Sequence, residues 1–156
     1  DFKPSTRKAD QAANKIPAVQ ISDLSFLVVD DDQFYRDFTI MCLTKLGVKR
    51  VHREINGMKG WSYLCKNPDI NIIICDWVMP QMSGLSLLQQ MKSPVTKNKF
   101  DKTVFIMETA KESNKSIVQA VQKGADGYLL KPFSPEQLFH QIERAIKNVR
   151  NVTLKR

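Results

Sequence analysis

Short, largely apolar runs alternate with longer amphipathic segments from Leu24 onward. Two runs, at residues 25–29 and 70–75, end abruptly in aspartate, which is typical of central parallel strands buried on both faces. A weaker strand is predicted at residues 48–53, a further strand at residues 104–107 and a last short strand at residues 128–130. The intervening segments carry apolar residues at helical spacing: Phe34, Phe38, Met41, Cys42 and Leu46; Trp61 and Leu64; Leu85, Leu87, Leu88 and Met91; Ile117, Val118 and Val121; Leu138, Ile142, Ala145, Ile146 and Val149.

Local residues mark where several of these helices begin and end. Gly47 and Gly124 close the first and fourth helices, and the third helix stops near Pro94. Residues 134–136 provide a capping hydroxyl, a first-turn proline and a carboxylate, which together predict the start of the last helix. Five strands and five helices in strict alternation predict an α/β fold: a doubly wound five-stranded parallel sheet with right-handed crossovers and helices on both faces.

The composition agrees with a single globular domain. The chain has 156 residues, of which 42% are hydrophobic and 26% are charged. Its longest apolar runs are far shorter than the roughly 18 residues that a membrane span needs. We expect a cytoplasmic protein in which residues 1–22 form a flexible basic leader or linker, residues 23–150 form the folded domain, and residues 151–156 form a basic tail.

Positive charge is concentrated at the two ends of the chain. The formal net charge is +8, of which +2 lies in residues 1–20 and +4 lies in residues 141–156. Basic ends on a nearly neutral body are typical of solvated tails, so neither nucleic acid nor membrane is favoured as a partner. Because the chain starts at Asp1 rather than at Met, it can be either a whole protein or a fragment.

The cysteines and histidines do not indicate a disulfide framework or a zinc site. Cys42, Cys65 and Cys75 lie in apolar stretches with no CxxC spacing, and we expect them to be small buried hydrophobic side chains. His52 and His140 have no carboxylate or cysteine partner at ligand spacing, so we expect surface or packing histidines.

Polar residues stand where four of the predicted strands end. Asp30 and Asp31 follow the first strand, Asp76 the third, Thr109 the fourth and Lys131 the fifth. Ligands of such folds bind beyond the carboxyl ends of the strands, which meet at one edge of the sheet. We therefore expect three carboxylates, a hydroxyl and an ammonium group to converge there.

The chemistry of that group points to a metal ion and a phosphoryl group. Crowded carboxylates repel one another unless one is protonated or a cation intervenes. Mg²⁺ fits, because it accepts a few carboxylates and keeps waters for an incoming phosphate. With Lys131, it would attract phosphoryl oxygens toward a nucleophilic carboxylate. The residues leave the nucleophile open, although Asp76 is the lone acid beside the turn at Met79-Pro80.

Four stretches lie at these strand ends: FLVVDD at 26–31, DWVMP at 76–80 followed by Ser83-Gly84, META at 107–110, and GYLLKPF at 127–133. In this order they closely resemble the receiver domain of bacterial two-component response regulators, particularly the chemotaxis type. The resemblance extends from about residue 24 to residue 150. It implies a flavodoxin-like sheet with the strand order 2-1-3-4-5.

The resemblance implies a role for each acidic residue. Asp76 is the expected phosphoacceptor. Asp31, Asp76 and the backbone carbonyl of Val78 are the expected protein ligands of Mg²⁺ (or Mn²⁺), and Asp30 is expected to act mostly through a bound water. The run continues with Asp32, so the pair could also be the second and third aspartates. We favour the first two, because Asp30 directly follows the last apolar residue of the strand.

The resemblance also implies a switch. Thr109 is expected to move toward the phosphoryl oxygens and Lys131 to pair with them, and the bond from Lys131 to Pro132 is expected to be cis. Tyr128 is expected to turn inward when Thr109 moves, which alters the face formed by the fourth helix, the fifth strand and the fifth helix. Phosphorylation would thus shift the population between two packings.

Three further residues near the expected site have implied roles. Val78 and Lys111 stand where the family varies, and we expect them to modulate the lifetime of the phosphoryl group. Trp77, beside Asp76, is expected to change its fluorescence when Mg²⁺ and acetyl phosphate are added.

The resemblance implies protein partners and leaves alternatives open. The expected donor is a phosphohistidine on a sensor histidine kinase or a phosphotransfer domain, and the expected output is contact with a downstream protein target, for which the flagellar motor switch is one option. Such a domain phosphorylates and dephosphorylates itself and is not a turnover enzyme. A receiver module cut from a larger hybrid kinase or regulator is equally compatible. An aspartyl-phosphate hydrolase is disfavoured, because Asp76 lacks the second acid of an Asp-x-Asp motif.

Overall fold

The computed structural model describes residues 15–110 and 114–156. Its strands are β1 (Ala18–Gln20), β2 (Ser25–Val29), β3 (Arg50–Glu54), β4 (Ile72–Asp76), β5 (Val104–Thr109), β6 (Gly127–Leu130) and β7 (Thr153–Lys155). Its α-helices are α1 (Gln33–Lys45), α2 (Gly57–Lys66), α3 (Gly84–Lys92), α4 (Asn114–Gln122) and α5 (Pro135–Arg150). A short 3₁₀-helix (Ile21–Asp23) lies between β1 and β2.

Five strands form one parallel sheet in the order β3-β2-β4-β5-β6. Numbered along the five-stranded sheet alone, this is the expected order 2-1-3-4-5, and the predicted α/β fold is confirmed. The order reverses at β2, so the crevice between β2 and β4 lies at the point where ligands bind in such sheets. The structure thus places the ends of β2 and β4 side by side.

The two faces of the sheet bury separate apolar clusters. Alternate residues of each strand point to opposite faces. One cluster packs beneath α1 and α5 and includes Cys42 and Ile142, whereas the other packs beneath α2, α3 and α4 and includes Leu64 and Met91. The central strands β4 and β5 are buried along their whole length. Their last residues are consequently held on rigid backbone.

The predicted leader and tail both contain ordered structure. β1 and β7 pair in parallel, with Val19 opposite Leu154, and form a two-stranded ribbon. Ile21 is fully buried and Leu154 is 4% exposed, and both belong to the apolar cluster beneath α1 and α5. The limits at residues 22 and 150 were therefore wrong on both sides, because these short strands are stabilised by pairing between the two ends of the chain. Residues 1–14 lie outside the described residues.

The exposure of Cys65 and the carboxylate neighbours of the two histidines differ from the predictions, whereas the expected surface or packing positions of the histidines agree with the structure. Cys65 is exposed, whereas Cys42 and Cys75 are buried as expected. Both histidines have a carboxylate neighbour: Nε2 of His52 lies 2.7 Å from Oε2 of Glu54, and Nδ1 of His140 lies 3.5 Å from a Glu143 oxygen. The His52 ring also stacks on Tyr63, and the His140 side chain is 70% exposed, so one packs and the other lies at the surface.

None of the helices within residues 15–110 and 114–156 is both long enough and apolar enough to cross a membrane.

Candidate functional site

The predicted site residues meet at the carboxyl edge of the sheet. Asp30 directly follows β2, Asp76 ends β4, Thr109 ends β5 and Lys131 directly follows β6. The parallel register places Asp76 opposite Glu108, one residue before Thr109. Because every strand points the same way, residues that are far apart in sequence become neighbours here.

Lys131 lies between two aspartates. Its Nζ is 3.2 Å from Oδ2 of Asp30 and 3.4 Å from Oδ1 of Asp76, and it lies 4.2 Å from the centre of the Tyr35 ring. Asp30 is fully buried and Asp76 is 8% exposed. Asp30, Asp31 and Asp76 each offer one carboxylate oxygen, and these three oxygens lie within 4.8 Å of one another. Two of these three clustered carboxylates, those of Asp30 and Asp76, therefore pair with the Lys131 ammonium group.

The three consecutive aspartates have different surroundings. Asp30 and Asp31 join Asp76, whereas the side chain of Asp32 accepts a hydrogen bond from the backbone N–H of Phe34 and caps α1. The favoured register, Asp30-Asp31, agrees with this geometry. Asp30 is itself held in place, because its Oδ1 accepts the backbone N–H of Asp32 at 2.9 Å and its carbonyl accepts Nη1 of Arg36 at 2.8 Å.

Burial and charge shift the pKa values of the groups at this edge. Burial, and next the negative charge of Asp30, raise the pKa of Asp76 to about 6, while Lys131 acts in the opposite direction. Burial alone would lower the pKa of Lys131, but Asp30, Asp76 and Glu108 outweigh it, and the pKa is raised. The ammonium group therefore stays charged, and the ionised carboxylates carry a cost that a further cation would relieve.

Glu108 is a buried acid that the sequence analysis did not single out. It is fully buried on β5, and its Oε2 accepts a hydrogen bond from the Thr39 hydroxyl at 3.2 Å. Burial, followed by its neighbour Asp30, raises the pKa of the Glu108 carboxyl well above its ordinary value. One acid directly after the apolar run VFIM was the feature that could have revealed it.

The expected switch residues surround the acids. Thr109 is 2% exposed, and its carbonyl accepts the backbone N–H of Lys131 at 2.9 Å. The bond from Lys131 to Pro132 is cis, as expected. Tyr128 is half-buried, and its ring meets the buried Trp77 ring edge to face with centroids 6.3 Å apart. The contact between the two rings thus links β6 to the loop that begins directly after Asp76.

The loop after β4 brings its backbone close to Asp76. The N–H of Gly84 donates to the carbonyl of Trp77 at 2.9 Å, and a Cβ at position 84 would collide with the carbonyl of Asp76. Only glycine fits there. Val78 lies in the same loop with 60% of its surface exposed, whereas Lys111 falls outside the described residues.

The donor set fits a hard divalent cation. Asp30, Asp31 and Asp76 offer closely spaced carboxylate oxygens, and one of these side chains, Asp31, is exposed, so the group is open to solvent on that side. Mg²⁺ prefers oxygen ligands and retains several waters, for which an open side leaves room. The arrangement has the residues required to hold Mg²⁺ or Mn²⁺ and to present a carboxylate beside it.

Comparisons with known proteins agree with this geometry. The family model "Response regulator receiver domain" matches residues 26–143. A chemotaxis protein CheY homologue of Campylobacter jejuni is 32% identical over 120 residues, which cover 77% of this chain and 90% of that protein. CheY1 of Helicobacter pylori is also 32% identical over 120 residues, with 94% of its length covered.

The fold is similar to that of a solved relative as well. The structure of CheY4 of Vibrio cholerae superposes with a TM-score of 0.70 at 26% sequence identity, and the match covers 78% of this chain and 98% of that one. Sequence, fold and the arrangement of acids at the strand ends agree, and the chain belongs to the response regulator receiver domain family of two-component and chemotaxis signalling.

Proposed function

We propose that this receiver domain is a phosphorylation-dependent switch in which Asp76 accepts a phosphoryl group with the help of Mg²⁺. The observation that carries the proposal is the position of Asp76: it lies within 4.8 Å of Asp30 and Asp31 oxygens and 3.4 Å from Nζ of Lys131. It is buried enough for strong electrostatics and yet retains some exposure. Bound Mg²⁺ would neutralise the carboxylates and attract phosphoryl oxygens.

The reaction is a transfer of one phosphoryl group. A carboxylate oxygen of Asp76 forms a bond to phosphorus while the bond from phosphorus to the donor atom breaks, and the electron pair of that bond leaves with the donor. The donor atom is an imidazole nitrogen of a phosphohistidine or the acetate oxygen of acetyl phosphate. Lys131, fixed between Asp30 and Asp76, can pair with the transferred oxygens without a large movement.

The phosphoryl group then biases a distant surface. It adds about −1.5 to −2 charges, and the hydroxyl of Thr109 and the ammonium group of Lys131 are the groups that would satisfy its oxygens. Tyr128 follows Thr109 by changing its packing against Trp77. The affected surface consists of α4, β6 and α5, where a groove of about 740 Å³ is lined by Ile117, Tyr128, Lys131 and Arg144 among others.

The partners follow from this assignment. The donor is a sensor histidine kinase or a phosphotransfer domain, and the output is contact between the α4–β6–α5 face and a downstream protein. The chemotaxis relatives support a role in this kind of signalling, and a cytoplasmic location is part of the proposal. The domain phosphorylates and dephosphorylates itself rather than turning over a free substrate.

The test uses acetyl phosphate and intact mass. With Mg²⁺, the full chain is expected to gain one acid-labile phosphoryl group, and peptide mapping is expected to locate it on Asp76. Asp76→Asn should abolish the adduct, whereas Asp101→Asn, which changes an exposed acid away from the site, should leave it. A stable adduct on another residue would refute the assignment. Many rounds of hydrolysis per molecule would instead favour a hydrolase.

Two residues are proposed to set how long the phosphoryl group survives. Val78 is 60% exposed in the loop that follows Asp76, and its apolar side chain cannot orient an attacking water. Lys111 lies two residues after Thr109 and adds a cation to that segment of sequence. Phosphoryl loss would be followed in Val78→Asn and Lys111→Glu, and unchanged rates in both would remove this part of the proposal.

A further inference from the structure

Glu108 follows the four apolar residues with which β5 begins. The four residues before it, 104–107, are fully buried apolar side chains, and Glu108 is also fully buried. Its backbone carbonyl accepts the N–H of Trp77 at 3.0 Å, so it also holds the peptide that follows Asp76. The side chain lies on the inner side of the acidic group, away from solvent.

Burial of the Glu108 carboxyl group destabilises the folded state. Oε2 accepts one hydrogen bond, from Thr39, while Oε1 has no donor within hydrogen-bond distance among the described residues. A buried polar group without full hydrogen bonding destabilises the folded state, and an apolar side chain of similar size avoids that cost. Departures of this kind from the local pattern are expected at functional positions.

The neighbour of Glu108 in the acidic group is Asp30, which helps to raise the pKa of the Glu108 carboxyl. Alternation along the strands places Asp30 on the same face as Val28 and Glu108 on the same face as Ile106, and both of these apolar residues belong to the cluster beneath α1 and α5. The oxygens of Asp30 also accept the backbone N–H of Asp32 at 2.9 Å and Nζ of Lys131 at 3.2 Å. Glu108 lies on the same face from within the core, and the hydroxyl of Thr39 on α1 holds Glu108 by donating to its Oε2.

Glu108 is not one of the acids placed to hold the metal. The group whose oxygens lie within 4.8 Å of one another consists of Asp30, Asp31 and Asp76 among the described residues. Glu108 would therefore act on the metal through its neighbours in that group, of which Asp30 affects the Glu108 carboxyl most strongly. Outer groups that hydrogen-bond to a metal-binding residue orient it and influence the affinity of the site.

We propose that Glu108 is a positioning residue: its buried carboxyl, held by Thr39, fixes the orientation of Asp30 and thereby strengthens Mg²⁺ binding at the acidic site. This inference rests on the proposed function of that site. It adds a residue on β5 and one on α1 to the machinery of the switch. It also explains why an acid is kept in an apolar strand at the expense of stability.

The test compares two substitutions of Glu108 in the full chain. Glu108→Met removes the carboxyl but keeps the length of the side chain, whereas Glu108→Gln keeps a hydrogen-bond donor and an acceptor. Mg²⁺ affinity is measured by Trp77 fluorescence and by calorimetry, and unfolding by urea is measured in a chelator. We expect Glu108→Met to weaken Mg²⁺ binding about tenfold and Glu108→Gln to retain it. We also expect the metal-free Glu108→Met protein to be at least as stable as the wild type.

A second pair of variants keeps the proposal falsifiable should Glu108→Met fail to fold. Thr39→Val removes the hydroxyl that holds Glu108, and Thr103→Val changes a buried threonine on the chain before β5, outside the site. Thr39→Val is expected to weaken Mg²⁺ binding, and Thr103→Val is expected to leave it unchanged.

The outcomes separate this inference from the proposed function. Wild-type protein that binds no Mg²⁺ would refute the proposed function itself. Wild-type protein that binds Mg²⁺, with folded Glu108→Met binding as tightly, would overturn only the positioning role. Equal weakening of Mg²⁺ binding by Glu108→Gln and Glu108→Met would also overturn the positioning role, because the carboxamide can still accept the hydrogen bond from Thr39. Should Glu108→Met fail to fold, Thr39→Val decides: unaltered binding refutes the role.

Discussion

The two edges of the sheet are built from opposite kinds of residue. At the carboxyl edge, the side chains of Asp30, Asp76 and Glu108 are buried with Lys131 as their nearby cation. At the amino edge, the β1–β7 ribbon and the 3₁₀-helix bury apolar side chains such as Ile21. Of the buried polar side chains in the described part of the chain, Thr103 is the one that neither belongs to nor contacts the carboxyl-edge group.

The amino edge therefore stabilises the fold, whereas the carboxyl edge carries the functional groups at a cost in stability. Burial of Ile21, Leu24 and Leu154 stabilises the fold through the hydrophobic effect. Burial of several carboxyl groups in one place destabilises it until a cation binds or a proton is taken up. The carboxyl edge is therefore the part of the molecule whose stability should respond to Mg²⁺ and pH, whereas the amino edge should respond to neither.

The largest expected effect is at the amino edge. Ile21→Ala removes a fully buried side chain beneath the ribbon and should lower the free energy of unfolding by about 2–5 kcal/mol. Phosphorylation by acetyl phosphate should be unchanged under conditions in which the variant is folded. Ile16→Ala, at a position that is 39% exposed, is the control and should have little effect. Equal effects of the two substitutions in urea denaturation would show that the ribbon adds no stability.

At the carboxyl edge, removal of a carboxylate should raise the free energy of unfolding rather than lower it. The pKa of Asp76 is raised from 3.8 to about 6, so the folded protein binds this proton more tightly than the unfolded chain does. The free energy of unfolding of the metal-free wild type should therefore fall as pH rises from about 4 to about 6 and then level off.

Asp76→Asn tests this directly. In a chelator above pH 6, the variant should be more stable than the wild type by on the order of 2–3 kcal/mol, and the difference should vanish toward pH 4. Asp101→Asn, at an exposed position, should show no such pH dependence. Urea denaturation across pH 4–8 measures both, and a stability difference that does not change with pH would argue against strained carboxylates.

The smallest effect concerns the charge that follows β7. The guanidinium of Arg156 lies over the Phe139 ring at 4.6 Å from its centre. Because Arg156 is exposed, Arg156→Ala should cost only about 0.5–1 kcal/mol. Lys155→Ala, next to it, should cost less. A loss as large as that of Ile21→Ala would mean that this cation–π contact contributes more to stability than we infer.

The same contrast explains what could be predicted from the sequence. The runs that end at Asp30 and Asp76 predicted two strands and their polar ends, because an apolar-to-acidic change is a local pattern. The ribbon was not predicted, because its strands are three residues long and are stabilised by pairing across almost the whole chain. Glu108 was not predicted because its place beside the acidic group depends on the register between strands, which puts it opposite Asp76 and which no local pattern contains.

Thermal unfolding with and without Mg²⁺ tests the central claim most directly, because the claim is that crowded carboxylates at the carboxyl edge bind this ion. A ligand that binds only the folded state raises its stability. At neutral pH, Mg²⁺ should raise the Tm of the wild type, and Asp31→Asn and Asp76→Asn should remove most of the increase. A wild-type Tm that Mg²⁺ leaves unchanged, or an equal increase in all three proteins, would contradict the account.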